Sequence, residues 1–213
     1  MAGEVDAAAL DLLFRRRSIG RLTEPAPTDA ELEQLLRAAA AAPDHGELRP
    51  WRFIVLRDDA KESFGEVLAE AYLRRVKLAG GAPEPAKLAK ERTKLNRAPL
   101  VIVVAAVHVH DDKIPWADQV GSAHAAAQNL LLAATALGYG SMWRTGDPVF
   151  DPHVKAALGL TEHDAIVGFL YVGTPHEGGA KPPRDPVLDG LVVEWRPPAP
   201  PGVTTPSTPP PAG

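Results

Sequence analysis

Apolar and polar residues alternate along the chain with two different spacings, and each spacing predicts one kind of secondary structure. Where apolar residues recur every three or four positions, the pattern is typical of a helix with one buried face. Such stretches predict helices over residues 7–17, 29–42, 59–78, 117–137 and 147–159. Short, unbroken runs rich in apolar and β-branched residues are typical of strands instead. They predict strands over residues 51–56, 100–107, 165–172 and 191–195, with a short strand or turn over 139–144.

Capping and breaking residues mark several helix ends. Thr28, with Glu31 three residues later, forms a capping box, and Pro43 ends the helix that the box opens. The 117–137 stretch is apolar around its whole circumference, so we expect a helix buried in the core or against another subunit. Helices and strands are intermixed without a regular βαβ alternation, which favours an α+β fold over a doubly wound sheet.

The composition supports one folded domain followed by a tail. With 213 residues, 45% of them hydrophobic, the chain can bury one full-sized core, and no internal repeat interrupts it. We therefore predict a single domain over residues 1–196. Residues 197–213 are dominated by proline, so we predict a disordered tail there.

Charge and cysteine content narrow the classes of function. A net charge of −4 gives no reason to expect a nucleic-acid partner, and the absence of cysteine excludes disulfides, thiolate metal sites and a cysteine nucleophile. The first residues lack the basic start and apolar run of a signal peptide, and the longest apolar stretches break well before about 18 residues. We expect a cytoplasmic protein without a membrane span.

Familiar catalytic motifs are missing or incomplete. Gly138–Trp143 begins like a dinucleotide-binding fingerprint, but a tryptophan replaces the third glycine and the segment follows a helix. Neither a Gly-x-x-x-x-Gly-Lys phosphate loop nor a Gly-x-Ser-x-Gly elbow occurs. His108 and His110 have a spacing compatible with two metal ligands, but no third ligand accompanies them, so we interpret them as exposed loop residues. Such a chain is typical of an enzyme whose organic cofactor carries the chemistry.

Three local clusters suit parts of a phosphorylated cofactor. Arg15–Ser18 offers guanidinium and hydroxyl donors to a phosphate, although cations at a helix end also complement the helix dipole. The loop over residues 43–51 brings together a histidine, an arginine and a tryptophan, or it is an ordinary connection with a buried tryptophan. Gly140–Gly146 would expose backbone amides to a flavin edge, with Trp143 shielding the edge, or it is a tight turn.

Taken in order, these clusters and their neighbours resemble the nitroreductase family, in particular its compact YdjA-like branch. The resemblance covers roughly residues 7–175, and the order and spacing of the matching segments make it specific. Those segments are Arg16-Arg17-Ser18, residues 22–28, Ala42-Pro43-Asp44-His45, Pro50-Trp51 with Phe53, Arg97-Ala98-Pro99-Leu100, Trp143-Arg144-Thr145-Gly146 and residues 166–175.

The resemblance implies both a fold and an activity. The implied fold is nitroreductase-like, with a mixed, mainly antiparallel central sheet flanked by helices, in an obligate homodimer with one FMN at each end of the dimer interface. The implied activity is that of an FMN-dependent oxidoreductase. It would transfer hydride from NADH or NADPH through flavin N5 to a nitro, quinone or similar small acceptor. No catalytic side chain is implied, because the flavin carries the chemistry.

The resemblance also implies roles for individual residues. Arg16, Arg17 and Ser18 would hold the phosphate and ribityl chain of FMN, and His45 would reach an FMN bound mainly by the other subunit. Backbone groups of the Trp143-Arg144-Thr145 segment would line the isoalloxazine ring near N5 and O4. The nicotinamide nucleotide is assigned to the end of the preceding helix, at Ala133, Ala134, Thr135, Ala136, Leu137 and Gly138.

Two departures from the family pattern stand near the implied flavin site. Ala41 occupies a position where relatives often carry arginine, and Arg49 one where they often carry glutamine. We hypothesise that Arg49 binds the cofactor in place of the missing cation, or alters the substrate pocket. Alternatives to a general reductase are a flavin-fragmenting or dehalogenating enzyme of the same fold, a non-catalytic flavin-binding or sensory protein, and a structural dimer without cofactor.

Overall fold

A computed structural model describes residues 7–177, 182 and 186–197 of the chain. The chain divides into two units, Met1–Pro183 and Arg184–Gly213, and the helices and strands of the described residues belong to the first. The helices are α1 (Ala7–Arg15), α2 (Asp29–Ala40), α3 (Asp59–Leu78), α4 (Pro85–Thr93), α5 (Trp116–Ala136), α6 (Asp147–Phe150) and α7 (Pro152–Ala157). The strands are β1 (Leu22–Thr23), β2 (Trp51–Arg57), β3 (Leu100–Ala106), β4 (Gly140–Arg144) and β5 (Ala165–Pro175), and short 3₁₀ helices cover His45–Glu47 and Lys94–Arg97.

The five strands form one antiparallel sheet, which confirms the predicted α+β architecture with a mainly antiparallel sheet. The order is β2–β3–β5, and β5 carries both β4 and β1 on its far edge. Leu100 lies opposite Val172 in the β3–β5 pair, and Gly140 lies opposite Gly173 in the β4–β5 pair. As a result β4 is an edge strand, with β5 on one side.

Two apolar layers cover the two faces of this sheet. Every residue of β3 is buried, as its continuous apolar run predicted. Val101 and Val103 belong to the layer that includes α3 and α7, whereas Ile102 and Val104 belong to the layer that includes α2 and α5. This alternation follows from the two-residue period of a strand. Each such buried aliphatic side chain stabilises the fold by about 1.5–3 kcal/mol.

Local sequence signals locate several helix ends correctly. The predicted capping box is present, with the Glu31 N–H donating to the Thr28 hydroxyl at 3.3 Å and the Thr28 N–H donating to the Glu31 carboxylate at 2.8 Å. The Tyr139 hydroxyl also donates to this carboxylate, at 2.9 Å. The hydrogen bonds from Thr28, and then that from Tyr139, lower the pKa of Glu31. The capping box thereby ties the start of α2 to the residue before β4.

Three elements differ from the sequence-based expectation. The helix predicted over 147–159 is split into α6 and α7, because Asp151 precedes a proline and adopts an extended conformation that ends one helix and caps the next. The two-residue β1 was not predicted, since it is too short to show a period. The strand predicted over 191–195 is wrong: these residues carry no strand pairing, and a strand needs a hydrogen-bonded partner.

The second unit is described over residues 186–197. It contains a turn in which the Leu191 N–H donates to the Leu188 carbonyl at 2.9 Å. Glu194 and Arg196 lie 3.5 Å apart as an exposed ion pair. The proline-rich tail was predicted over residues 197–213, and all of it beyond residue 197 lies outside the described residues. Among the described helices of the chain, none is long and apolar enough to cross a membrane.

Candidate functional site

A backbone contact brings two of the three predicted clusters together. Ser18 forms a parallel bridge with Ser141 in β4, and the Ile19 N–H donates to the Ser141 carbonyl at 2.9 Å. The Arg15–Ser18 cluster therefore lies alongside the beginning of β4. Arg144 follows Ser141 by three residues, or about 10 Å along an extended strand. Both clusters border the same edge of the sheet.

Backbone groups on the outer edge of β4 are available for hydrogen bonds to a ligand. Because the Ser141 carbonyl points away from β5 to meet Ile19, the alternation along a strand turns the N–H and carbonyl of Trp143 to that same outer side. In the described part of the chain, no strand pairs with this edge beyond the bridge at Ser18. Hydrogen-bonding groups that the fold leaves unused on a short edge are suited to bind a flat polar ligand.

Several guanidinium groups along this edge have no anionic partner among the residues that the structure describes. Arg16, Arg17 and Arg144 are half-buried, and within the described ranges none has a carboxylate within ion-pair distance. Arg15, in contrast, pairs with Asp11 at 2.7 Å. Holding several half-buried cations together without counter-charges is unfavourable, so the arrangement favours an anionic ligand.

A cavity of about 210 Å³ opens at the end of β4, where it is bounded by four cationic side chains. These cations are Lys90, Lys94, Arg97 and Arg144. Glu91 is buried there and is paired with Lys94. Thr145 and the apolar Leu68, Leu95, Pro148 and Phe169 complete the lining with Tyr171. The cavity thus combines an apolar floor with a positively charged rim.

Tyr171 supplies a neutral hydroxyl to this cavity. Burial raises the pKa of Tyr171 to about 12, although the nearby Arg144 and Arg97 act in the opposite direction. The phenol therefore remains protonated throughout the neutral range and can donate a hydrogen bond. The sequence gives no sign that Tyr171 could contact a ligand, because an apolar strand surrounds it and its pattern predicts a core residue.

The cations of the rim were also missed at the sequence level. Lys90 and Lys94 lie in and just after α4, a segment rich in charge that is typical of a solvent-facing helix. Arg97 was quoted as part of the family resemblance but was assigned no role. The one available signal was the density of basic residues just before β3, between Lys87 and Arg97.

The Trp143 side chain has a structural role in the sheet, which differs from the expected shielding of a flavin edge. Its indole N–H donates to the Val167 carbonyl at 3.1 Å, and its ring packs on Gly168. A Cβ at Gly168 would lie 2.2 Å from the indole nitrogen. The indole thus anchors β4 onto β5. The backbone of Trp143, rather than its ring, is the part that the outer edge offers to a ligand.

The loop that contains His45 and Arg49 lies at the other end of α5. His45 Nδ1 lies 3.1 Å from Asp118 Oδ2, and the Arg49 N–H donates to the Asp44 carboxylate at 2.6 Å. The side chains of His45 and Arg49 are exposed. Among the described residues, no hydrogen bond or ion pair joins this loop to β4 or to the Arg16–Ser18 segment. Within one chain the third cluster therefore stays separate from the other two.

The segment expected to meet the nicotinamide nucleotide is the end of α5, which leads directly into β4. Ala134 is completely buried in the core, so its side chain cannot touch a ligand. Ala136 and Gly138 are exposed, and Gly138 has a φ of 84° that ends the helix. The Thr135 hydroxyl donates to the Leu131 carbonyl at 3.0 Å. Ala133 and Leu137 are half-buried.

The histidine pair considered as metal ligands consists of exposed side chains. His110 Nε2 lies 3.6 Å from Asp112 Oδ1, and the His108 ring contacts Trp116 at 5.3 Å between ring centroids. Over residues 7–177, 182 and 186–197, no group of three or more histidine, cysteine, aspartate or glutamate residues is placed to hold a metal ion.

Comparisons with known proteins converge on one family. The family model described as the Nitroreductase family matches residues 13–174. YdjA of Escherichia coli K12, provisionally named an NAD(P)H nitroreductase, is 42% identical over 167 residues, which cover 78% of this chain and 88% of YdjA. A nitroreductase-like protein from Bacillus cereus shares the fold with a TM-score of 0.72 and 20% identity, over 91% of this chain and 99% of that one.

A further solved structure is a complex with FMN. It is a provisionally assigned nitroreductase in complex with FMN from Desulfovibrio desulfuricans, 26% identical to this chain with a TM-score of 0.65. The alignment covers 91% of this chain and 100% of that one. The family match spans most of the folded unit, including β4 and the arginines beside it. The sequence identity to YdjA is higher than proteins that share only a fold usually have. The chain belongs to the Nitroreductase family.

Proposed function

We propose that this protein is an FMN-dependent NAD(P)H oxidoreductase that reduces a nitro compound, a quinone or a similar small acceptor. The observation that carries the proposal is the set of half-buried arginines beside the open backbone edge of β4, which have no carboxylate partner in the described part of the chain. Family membership, the name of YdjA and the FMN complex of the Desulfovibrio relative support the choice of ligand.

The donor set of the site fits FMN. Arg16, Arg17 and Ser18 offer guanidinium and hydroxyl donors to a phosphate and to ribityl oxygens. The open N–H and carbonyl of Trp143 and the amide of the exposed Thr145 match the polar edge of an isoalloxazine ring. We extend the flavin contacts to the cavity at the end of β4, whose four cations and Tyr171 hydroxyl suit the electron-rich pyrimidine end of the ring.

Bound FMN would supply the redox chemistry, accepting hydride from NADH or NADPH and passing the electrons to the acceptor. The residues of the chain bind, orient and stabilise charge. Arg97 and Arg144 line the cavity, and with the amides along β4 they would stabilise negative charge that develops on a ligand. Tyr171 keeps its proton in the neutral range and acts as a hydrogen-bond donor. No side chain is needed as a nucleophile.

We further propose that two chains build each site. His45 and Arg49 are exposed at the far end of α5 and lie apart from β4 in a single chain, so a second chain is needed to bring them to the flavin. The apolar side chains Leu10, Leu13 and Phe14 of α1 are each about half exposed, which is unfavourable in a monomer. The binding of NAD(P)H at the end of α5 stays a prediction. The cytoplasmic location of the protein stays a prediction as well.

The proposal is tested by the absorbance of the purified protein. We expect flavin bands, or their appearance after incubation with FMN and gel filtration in a dimeric peak. Anaerobic NADH or NADPH should bleach the bands, and a nitroaromatic compound or a quinone should restore them. Protein that stays colourless in excess FMN would refute the proposal. Protein that binds FMN but is not reduced would favour a non-catalytic flavin-binding role.

The identity of residue 49 offers a second, finer test. If Arg49 contributes a cation to the flavin site, Arg49→Gln should weaken FMN binding or change the preference among acceptors. The charge-matched control is Arg52→Gln, since Arg52 donates to the Gly159 carbonyl at 3.2 Å away from the loop. Unchanged affinity and unchanged preference in Arg49→Gln would show that this departure from the family pattern has no role at the site.

A further inference from the structure

Asp118 holds the His45 ring in one orientation. His45 Nδ1 lies 3.1 Å from Asp118 Oδ2, and an ionised carboxylate can only accept a hydrogen bond. The proton of a neutral His45 must therefore reside on Nδ1, which leaves Nε2 unprotonated on the opposite side of the ring. Within the described structure Nε2 has no partner, and 62% of the side chain is exposed.

The loop that presents His45 is fixed to α5 at a second point. Gly46 packs on Ile114, two residues before α5, so closely that a Cβ would lie 2.2 Å from the Ile114 Cδ1 atom. A φ of 74° at Gly46 makes this approach possible, and Glu47 and Arg49 also have positive φ values, of 56° and 49°. Non-glycine residues adopt this conformation at a cost, and they keep it where the surroundings over-determine the backbone.

The side chain of Asp44 makes a hydrogen bond across the same loop. Its carboxylate accepts the Arg49 N–H at 2.6 Å, so the strained turn is pinned at both of its ends. A short loop that is strained at two positions, Glu47 and Arg49, and attached to one helix is a rigid support. The side chain that this support presents is His45, and the atom that it leaves available is Nε2.

We propose that Asp118 is a positioning residue, which fixes the tautomer and direction of His45 so that Nε2 meets the flavin of the composite site. This inference rests on the proposed function. Carboxylates commonly fix the ring of a metal-bound or catalytic histidine in this way. Asp118 also lies in the first turn of α5, where a negative charge favours the helix dipole, so a purely structural role must be distinguished from the positioning role.

Two substitutions and one matched control separate these roles. Asp118→Ala removes the partner of His45, and His45→Ala removes the ring itself. The control is Asp112→Ala, because Asp112 and His110 form a second exposed aspartate–histidine pair, 3.6 Å apart, near the same end of α5. The first readout is the tautomer of His45 by ¹⁵N NMR of the histidine rings in the flavin-free protein. The second readout is the Kd for FMN.

We expect the wild type and Asp112→Ala to show the Nδ1–H tautomer at His45, and Asp118→Ala to shift to the Nε2–H form that predominates in free imidazoles. Asp118→Ala and His45→Ala should each raise the Kd for FMN about fivefold, as loss of one hydrogen bond does. The double variant should be no weaker than His45→Ala alone, because the two residues act through one contact. Asp112→Ala should stay within about twofold of the wild type, since it leaves the His45 contact in place.

An unchanged tautomer in Asp118→Ala would overturn the proposal, as would additive effects in the double variant. Equal FMN affinity in Asp118→Ala and the wild type would overturn it as well and leave the proposed function intact. A lower melting temperature in Asp118→Ala with unchanged FMN affinity would assign Asp118 to the stability of α5 instead. A wild-type protein that binds no FMN would refute the proposed function, and the positioning role with it.

Discussion

Two regions of the folded unit carry several basic side chains, one around α3 and α7 and the other along β4, and they differ in how these charges are paired. Around α3 and α7 the less exposed basic groups have partners: Arg75 contacts the carboxylate of Asp151, His153 Nε2 lies 3.2 Å from Glu70, and the Lys155 ammonium donates to the Asp164 carbonyl at 2.6 Å. Along β4, the guanidinium groups of Arg17 and Arg144 have no such partner in the described structure. Arginine occurs in both regions, so the residue type alone does not explain the difference.

This contrast separates a charge network that is closed within the chain from one that is open to a ligand. Where every charge is paired within the chain, the pairs fix helices relative to each other and leave nothing for a ligand. Where half-buried cations stay unpaired beside open backbone groups, the missing counter-charge must come from outside the chain. Substitutions in the first region should therefore change stability alone, and substitutions in the second should change ligand affinity alone.

The largest effect is expected in the closed network, from Asp151→Ala. Asp151 is 5% exposed, pairs with Arg75 and caps α7 through the His153 N–H at 2.9 Å. Removing it leaves a cation without its partner and a helix without its cap, which should cost about 3 kcal/mol in the free energy of unfolding. Urea unfolding measures the loss, and FMN affinity should not change.

Asp147→Ala is the matched control for this prediction. Asp147 lies 3.8 Å from the same Arg75 but is 67% exposed. Its removal should change the free energy of unfolding by at most about 0.5 kcal/mol. Equal losses in the two variants would show that burial does not decide the strength of this network.

A somewhat smaller effect is expected where β4 is anchored from behind. In Gly168→Ala the new methyl group would collide with the Trp143 indole, so either β4 or the ring must shift, at a cost of about 2 kcal/mol. Because β4 carries the open edge, FMN affinity should fall as well. Gly121→Ala is the control: no atom lies within 4 Å of the added Cβ, and an alanine in α5 should stabilise the protein slightly. Unchanged unfolding and unchanged FMN binding in Gly168→Ala would contradict the anchoring role.

Substitutions among the arginines beside β4 should change the affinity for FMN. Arg17→Ala should raise the Kd for FMN by roughly tenfold or more, as expected for loss of a charge-assisted contact to a phosphate. The melting temperature of the flavin-free protein should stay the same, because Arg17 has no partner to lose within the described chain. Arg21→Ala removes the same charge from an exposed position nearby and should leave the Kd almost unchanged. Titration of flavin fluorescence measures both variants, and equal effects would indicate general charge attraction.

The smallest effect concerns acid stability in the closed region. Burial acts to raise the pKa of Asp164, but hydrogen bonds from the Thr161 N–H, the His108 N–H and the Thr161 hydroxyl outweigh it, so the pKa is lowered. A carboxylate with a lowered folded pKa stabilises the protein above its unfolded pKa, about 3.9, and this contribution disappears as the pH falls through the folded value. The melting temperatures of wild type and Asp164→Asn should thus differ most above about pH 5 and converge below pH 4. A gap that widens towards low pH would reverse the assigned sign.

The elements that were predicted correctly have strong local causes. The boundaries of α3 were predicted from its apolar spacing and the glycines that follow it, and β3 from the continuous apolar run over residues 100–107. The features that were not predicted depend on contacts with distant parts of the chain. β1 exists through its pairing with β5, and the division between α6 and α7 depends on a cap at Asp151 that also pairs with a distant arginine.

The candidate site divides in the same way. The arginines beside Ser18 and the backbone after β4 could be proposed from the sequence, because they form contiguous clusters that resemble a family. Lys94, Tyr171 and Asp118 could not, since each is brought to its neighbours by tertiary structure. Asp118 is 73 positions from His45, and nothing in either local pattern relates them.

The open edge of β4 also bears on how the protein behaves before any ligand arrives. An unpaired strand edge can serve as a template for a strand of another molecule, which is a common start of aggregation. Here the strand has five residues, and charged side chains stand at its far end and beside its beginning, which are the devices that discourage edge-to-edge association. The arginines that favour an anion would then keep nascent, empty chains apart in a crowded solution.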